Sequence, residues 1–219
     1  MREINVAELT KAVKRLCIES CTSLNEDVVS ALKMAIEKEE SPSGKRILRQ
    51  LLKNEALARE EKIALCQDTG VTLVYLEIGQ DVHFIGGDLK EAIQDGVRQG
   101  CKEGYLRKSV CHPLTRENTG DNTPAILHFD IVPGDKVKVT VMPKGAGSEN
   151  MSTAKVLTPA AGLDGIKKYV CKVVERAATN TCAPLIIGIG IGGTLDVTAL
   201  LAKKAYHISK AIVFLNNFT

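Results

Sequence analysis

The sequence predicts a mixed α/β (α+β) fold, with a helical N-terminal third followed by a mixed sheet with flanking helices. Apolar residues recur every three or four positions up to about residue 64. Beyond that point short apolar or alternating runs, bounded by turn residues, take over. Further helix-period stretches are interleaved with those runs, the pattern of helices packed on a sheet.

Val6, Leu9, Val13, Leu16 and Cys17 form the first amphipathic stripe. Val28, Val29, Ala31, Leu32, Ala35 and Ile36 form a second, with Asn25 as its N-cap. Ser41-Pro42-Ser43-Gly44 interrupts the pattern, and a third helix carries Ile47, Leu48, Leu51, Leu52 and Leu57 toward Cys66. Residues 71–78 read as a strand. Asp88 caps a helix through Leu89, Ala92, Ile93 and Val97, which reaches Leu106 after a break at Gly100. Residues 125–132 and 136–142 are strands flanking the turn sequence Pro133-Gly134-Asp135. In the second of these, Val137, Val139 and Val141 alternate with Lys136, Lys138 and Thr140, so it buries one face. Ile166, Tyr169, Val170, Val173, Val174 and Ala177 mark another helix. Residues 184–191 read as a buried strand, followed by Gly192-Gly193-Thr194 and a helix over 197–205, and residues 211–215 as a last strand. No linker, repeat or low-complexity segment divides residues 1–219, which are expected to form a single domain with its helical part at about 1–64.

Composition narrows the function classes. A net charge of +3 with interspersed signs leaves no electrostatic footprint for nucleic acid, and the absence of Trp leaves little for base stacking. No apolar stretch approaches the roughly 20 residues that span a membrane. Met1-Arg2-Glu3-Ile4-Asn5 shows no secretory signal, so a cytoplasmic location is expected. The seven cysteines are odd in number and irregularly spaced, as for free thiols in a reducing compartment. Cys17 and Cys21 share one helix face, where packing explains them better than a metal, since no His or further Cys sits nearby.

Ala64-Leu65-Cys66-Gln67-Asp68-Thr69-Gly70 is the most informative stretch. It places a thiol, an amide and a carboxylate together where a helix gives way to a strand, and such junctions lie at surfaces or line clefts. Gly188-Ile189-Gly190-Ile191-Gly192-Gly193 has the glycine spacing of a dinucleotide turn, but no acid follows Asp196 to hold a ribose hydroxyl. A tight turn that lets backbone approach an anionic ligand accounts for it better. Lys144-Gly145-Ala146-Gly147-Ser148-Glu149-Asn150 reads equally as an anion-binding nest beside an ammonium or as a surface connection. Arg107 and Lys108 close the long helix, where cations suit the dipole. Arg107 and Arg116 bracket the approach to the polar loop 116–124, and arginine grips carboxylates at two points. His112 beside Pro113 is a candidate to face a site, and His128 sits in a strand. Cys182, entering an apolar run, is placed like Cys66, and deprotonated thiols in such loops bind iron.

Taken together, these blocks resemble the α-type region of the class I fumarase and L-tartrate dehydratase family of iron–sulfur hydro-lyases. The resemblance rests on Cys66-Gln67-Asp68-Thr69-Gly70, on Leu106-Arg107-Lys108-Ser109 with Pro113-Leu114, and on Asn118-Thr119-Gly120-Asp121-Asn122-Thr123-Pro124-Ala125. It continues through Lys144 to Ser152 and through Cys182-Ala183-Pro184 into Gly190-Ile191-Gly192-Gly193-Thr194. It implies a 4Fe–4S cluster held by three cysteines with one iron open to substrate. Cys66 and Cys182 match two of these ligands; the third cysteine ligand is not found in this chain, which is shortened at its C-terminal end relative to the family pattern. The resemblance also implies a β-type subunit or domain and a homo- or hetero-oligomer. Asp68 matches the proton-abstracting base, Gln67 a substrate-positioning amide and Arg107 a carboxylate-binding arginine. Lys144, Gly145, Ser148, Asn150, Gly192, Gly193 and Thr194 would shape the anionic pocket. The expected activity is reversible hydration and dehydration of a small dicarboxylate, fumarate/malate or tartrate/oxaloacetate. The alternatives are a truncated, non-catalytic homologue serving as a binding or assembly module, and a nucleotide-binding protein using the glycine turn.

Overall fold

A computed structural model describes residues 1–182 and 185–206. The chain divides into two compact units, Met1–Ala146 and Gly147–Thr219.

The first unit opens with a short strand, β1 (Arg2–Asn5), which the apolar periodicity did not reveal. Asn5 then caps α1 (Val6–Thr22), its side-chain oxygen accepting from Ala7 N–H at 2.9 Å. The predicted stripe is the buried face: Leu9, Val13, Cys17 and Cys21 all lie in the core. Two further helices follow, α2 (Glu26–Lys38) and α3 (Pro42–Glu61). The Ser-Pro-Ser-Gly break is in fact the start of α3. Ser41 Oγ accepts from Gly44 N–H at 3.4 Å, and Pro42 occupies the first turn, where its missing N–H costs nothing. Lys62, in the left-handed region at φ 57°, ends the helix.

Beyond the 62–70 loop come β2 (Val71–Gly79), β3 (Val82–Ile85), α4 (Leu89–Glu103), β4 (Ile126–Val132) and β5 (Val137–Lys144). β1 pairs in parallel with β3, while the larger sheet has the order β4-β2-β5. β2 runs parallel to β4 and antiparallel to β5, with Leu76 opposite Phe129 on one side and Val139 on the other. The two strands around Pro133-Gly134-Asp135 therefore do not pair with each other. β2 lies between them, and their connection wraps its end: Gly79 N–H bonds Lys136 O, Gln80 N–H bonds Val132 O, and Asp81 N–H bonds Gly134 O. A central strand is covered on both faces, which is why β2 is apolar almost throughout.

Val74, Leu76 and Ile78 of β2, with Val137, Val139 and Val141 beside them, pack in one core with α1 and α4. On the alternate positions of the sheet, Tyr75 stacks on His128 with ring centroids 4.9 Å apart. Val13, Ile93 and Val97 are wholly buried, and each contributes roughly 1.5–3 kcal/mol by leaving water. α4 does not break at Gly100. A Cβ on Gly96 would stand 2.8 Å from Val13 Cβ, and one on Gly100 2.8 Å from Cys17 Cβ. These glycines let α1 and α4 approach closely, so packing outweighs their low helix propensity.

The second unit begins within a short helix, α5 (Ala146–Glu149), and contains α6 (Gly162–Ala178) and α7 (Leu195–Ala205). Both longer helices match the predicted periodicity. Residues 185–191, expected as a strand, have no strand partner among the described residues. They lie instead on α7: a Cβ on Gly188 would overlap the carbonyl oxygen of Ala202, and one on Gly190 that of Thr198. An apolar run of this length marks burial without specifying a sheet neighbour. A cavity of about 340 Å³ opens among Val173, Val174, Ala177, Leu185, Ile187 and Tyr206, with the Lys203–Glu149 ion pair (2.7 Å) in its wall. Residues 183–184 and the strand expected at 211–215 lie outside the described residues. Among the described residues no helix is long and apolar enough to cross a membrane.

Candidate functional site

Six of the residues singled out by sequence lie in the first unit, and its topology brings them together. Cys66, Gln67 and Asp68 occupy the loop between α3 and β2. Lys144 ends β5, directly opposite Val71 at the start of β2, so the antiparallel register sets the 144–146 segment beside that loop. Asp68 Oδ2 accepts from Ala146 N–H at 3.2 Å. Gly70 has φ 67°, and a Cβ there would overlap the Lys144 carbonyl, so the approach of the two segments requires glycine.

The segment that follows α4, residues 106–110, is held against the same loop. Thr69 Oγ1 donates to Arg107 O at 2.6 Å. Asn122 Nδ2 donates to Gly70 O at 3.1 Å, and Asn122 Oδ1 accepts from Ser109 N–H (2.7 Å) and Val110 N–H (3.1 Å). Asn118 Nδ2 adds a bond to Lys108 O at 2.9 Å. Arg98 anchors the 118–124 loop from α4, its Nε donating to Asp121 Oδ2 at 3.0 Å and its Nη2 to Glu91 at 2.7 Å. Burial works against ionisation of Asp121, but the hydroxyl and N–H of Thr123 and the Arg98 guanidinium outweigh it and hold the carboxyl below the usual range.

Three polypeptide segments thus converge, bearing an exposed thiol (Cys66), an amide (Gln67), a carboxylate (Asp68), a guanidinium (Arg107) and an ammonium (Lys144). Cys66 Sγ donates to Gln67 Oε1 at 3.3 Å. The arrangement offers the exposed Arg107 guanidinium for an anionic ligand and a carboxylate for proton transfer, while Lys144 is buried at the end of β5. Thr69 and Asn122, which tie it together, were not among the residues chosen from sequence. Asn122 is 1% exposed and lies in the left-handed region at φ 65°. Asn tolerates that conformation, but its place at the meeting of three loops leaves no periodic signal. His112 acts locally, its Nδ1 accepting from Leu114 N–H at 3.3 Å and Thr115 N–H at 3.1 Å to close its own turn.

The remaining candidates lie in the second unit. Ser148 lines the cavity there, and Asn150 follows α5. Gly192 and Gly193 have φ 89° and 77°, forming the tight turn before α7, with Thr194 at the N-cap position. Thr198 Oγ1 donates to Gly192 O at 2.6 Å. Bonds from the Thr194 hydroxyl and from backbone N–H groups hold the Asp196 carboxyl below its usual range, so this acid already engages the start of α7. Cys182 is exposed just beyond α6.

The cysteines fall into two chemical groups. Burial, with neighbouring thiols adding to it, pushes Cys17 up to about 12, and burial with Cys101 pushes Cys21 up to about 11. Such thiols stay protonated, whereas a metal ligand must be a thiolate. Cys66, Cys171 and Cys182 are exposed. Burial therefore does not bar these three thiols, Cys66 and Cys182 among them, from access by an iron–sulfur group. Among the described residues no three His, Cys, Asp or Glu side chains stand together as a metal site, so these thiols do not form a complete ligand set by themselves.

Comparison with known proteins places the chain in a family. The family model described as fumarate hydratase (fumerase) matches residues 10–212. A Methanocaldococcus jannaschii protein, provisionally named L(+)-tartrate dehydratase subunit alpha, is 42% identical over 204 residues, covering 90% of this chain and 72% of that protein. The L(+)-tartrate dehydratase subunit alpha of Escherichia coli strain UTI89 is 30% identical, and that of Shigella sonnei 29%, each over 91% of this chain and 67% of the relative.

Proposed function

The chain belongs to the fumarate hydratase family, a family of hydro-lyases, and we propose that it works as the α-type subunit of an enzyme that reversibly hydrates a small dicarboxylate. The substrate pair is fumarate/malate or tartrate/oxaloacetate, and residues 1–219 act as one α-type region. The observation that carries this reading is the convergence of the 66–70 loop with Arg107 and the 144–146 segment, secured by the Thr69, Asn122 and Asp68 hydrogen bonds.

Dehydrating a 2-hydroxy dicarboxylate means removing a weakly acidic C–H proton and a poor leaving group, hydroxide. Arg107 binds one substrate carboxylate through its planar fork. Lys144 and Gly145 present positive charge and backbone N–H groups to the other end of the anion. Asp68 takes the proton from carbon; the Ala146 N–H that bonds its Oδ2 fixes the carboxylate's orientation and leaves the other oxygen to face substrate. Gln67 hydrogen-bonds the substrate and keeps the C–H bond in line with that oxygen. By resemblance, Ser148, Asn150, Gly192, Gly193 and Thr194 also serve substrate binding. Cys66 and Cys182 would hold a 4Fe–4S cluster, completed by a third thiolate from beyond residues 1–219. When bound, the cluster supplies a Lewis acid for the leaving hydroxyl. A β-type subunit completes the site, the assembly is oligomeric, and the exposed free thiols suit the reducing cytoplasm.

The test is anaerobic co-production with a β-type partner, followed by iron and sulfide determination and assay with fumarate, L-malate and L(+)-tartrate. Turnover of one pair together with a cluster lost in Cys66→Ser is the expected result. A stable, colourless assembly that turns over none of them would establish the non-catalytic reading instead.

A further inference from the structure

We propose that Asn122 is a positioning residue of this site, setting the spacing between the 66–70 loop and the 106–110 segment without touching substrate. This rests on the hydro-lyase reading for its catalytic consequence, but the structural tie stands on its own geometry. One side chain bridges both segments. Its Nδ2 donates to Gly70 O at 3.1 Å, while its Oδ1 accepts from Ser109 N–H at 2.7 Å and Val110 N–H at 3.1 Å. On one segment these partners are bonded neighbours of the Asp68-Thr69 pair; on the other they follow Arg107-Lys108. The separation between the base and the carboxylate-binding arginine is therefore set in part through this one amide.

Only an amide of this length satisfies the position. It must offer a donor and an acceptor at once, both buried, since Asn122 is 1% exposed. It must also accept φ 65°, which asparagine does more readily than most residues. Asp would keep the acceptor for Ser109 and Val110 but turn a carboxylate oxygen toward Gly70 O. Gly would keep the backbone conformation and lose all the side-chain bonds. The loop that carries Asn122 is itself pinned to α4 by Arg98 through Asp121, and Thr69 Oγ1–Arg107 O provides a second tie between the same two segments. Loss of Asn122 should therefore loosen the spacing without releasing either segment entirely.

Asn122→Asp and Asn122→Gly test this in the full chain assembled with its β-type partner. Hydrogen exchange should quicken about tenfold or more in peptides covering 66–72 and 106–112, while α1 and α4 keep wild-type protection. In the same preparations kcat should fall roughly 10- to 100-fold with iron content unchanged and with KM rising much less, as expected when reacting groups are displaced by a fraction of an ångström. Wild-type kcat in either folded variant, or protection lost uniformly across α1 and α4 in both, would overturn the proposal. If the wild-type assembly itself has no turnover, the hydro-lyase reading fails, and the exchange pattern alone then decides whether Asn122 makes the tie.

Discussion

The hydroxyl of Thr69 donates to the carbonyl oxygen of Arg107 at 2.6 Å, joining the loop that carries Cys66, Gln67 and Asp68 to the segment that carries the candidate substrate arginine. Thr69 is buried and the bond is partly so, so water replaces the lost donor at the Arg107 carbonyl only in part. Thr69→Val keeps the shape and removes the donor. It should cost about 1–3 kcal/mol in urea denaturation, whereas Thr69→Ser should cost less than half as much.

Gly70 supports the same junction by having no side chain. Gly70→Ala should destabilise the chain by at least about 1–2 kcal/mol from the left-handed backbone alone. The overlap with the Lys144 carbonyl adds to that and pushes 144–146 away from Asp68. A melting temperature equal to wild type would show that the two segments do not approach as described.

Exposed and buried thiols should react at different rates. At pH 8, maleimide should label Cys66, Cys171 and Cys182 within minutes, and Cys17 and Cys21 only on unfolding. Mass spectrometry of labelled peptides reads this directly.

The same burial gives an alkaline limit to stability. Folded Cys17 and Cys21 hold their protons up to about 12 and 11, against 9.0 for the free thiol. The folded state therefore binds more protons than the unfolded one above pH 9. The contribution is intact below pH 9 and is lost as pH rises toward 11–12, on the order of 2–5 kcal/mol for the pair. Denaturation midpoints should fall across that window, and the fall should shrink in Cys17→Ala/Cys21→Ala measured against its own value at pH 7.

Close packing on α7 accounts for Gly188 and Gly190 without calling on a dinucleotide. Gly190→Ala should lower the melting temperature by several degrees, and millimolar NAD or ATP should leave that of the wild type unchanged.

Where information is local, sequence revealed the fold. The stripes of α1, α6 and α7 follow from residues three and four apart, and Val137, Val139 and Val141 bury the face their alternation predicts. Pairing is non-local, so the insertion of β2 between β4 and β5 and the β1–β3 ladder had no signature in any short window. Gly100 looks like a break for a related reason, and Ser41-Pro42, which does separate α2 from α3, also begins α3. A glycine that admits a neighbouring helix, and a proline that starts one, look like breaks until the partner or the cap is seen. At the site, the adjacency of Cys66, Gln67 and Asp68 and the cations Arg107 and Lys144 were legible as candidates, and the role of each came from resemblance. What sequence did not disclose was the clamp. Thr69 and Asn122 lie within the quoted motifs, but they act through backbone atoms of distant segments, a role that no short window shows.

The reading of the site stands or falls on Asp68, held by the Ala146 N–H beside Arg107's segment, removing a proton from a dicarboxylate. Steady-state dehydration of L-malate and L(+)-tartrate by the assembled enzyme, comparing wild type with Asp68→Asn at equal iron content, decides it. The expected result is a fall in kcat of at least about 100-fold for the preferred substrate, with little change in KM. An Asp68→Asn enzyme that retains wild-type kcat would contradict that role.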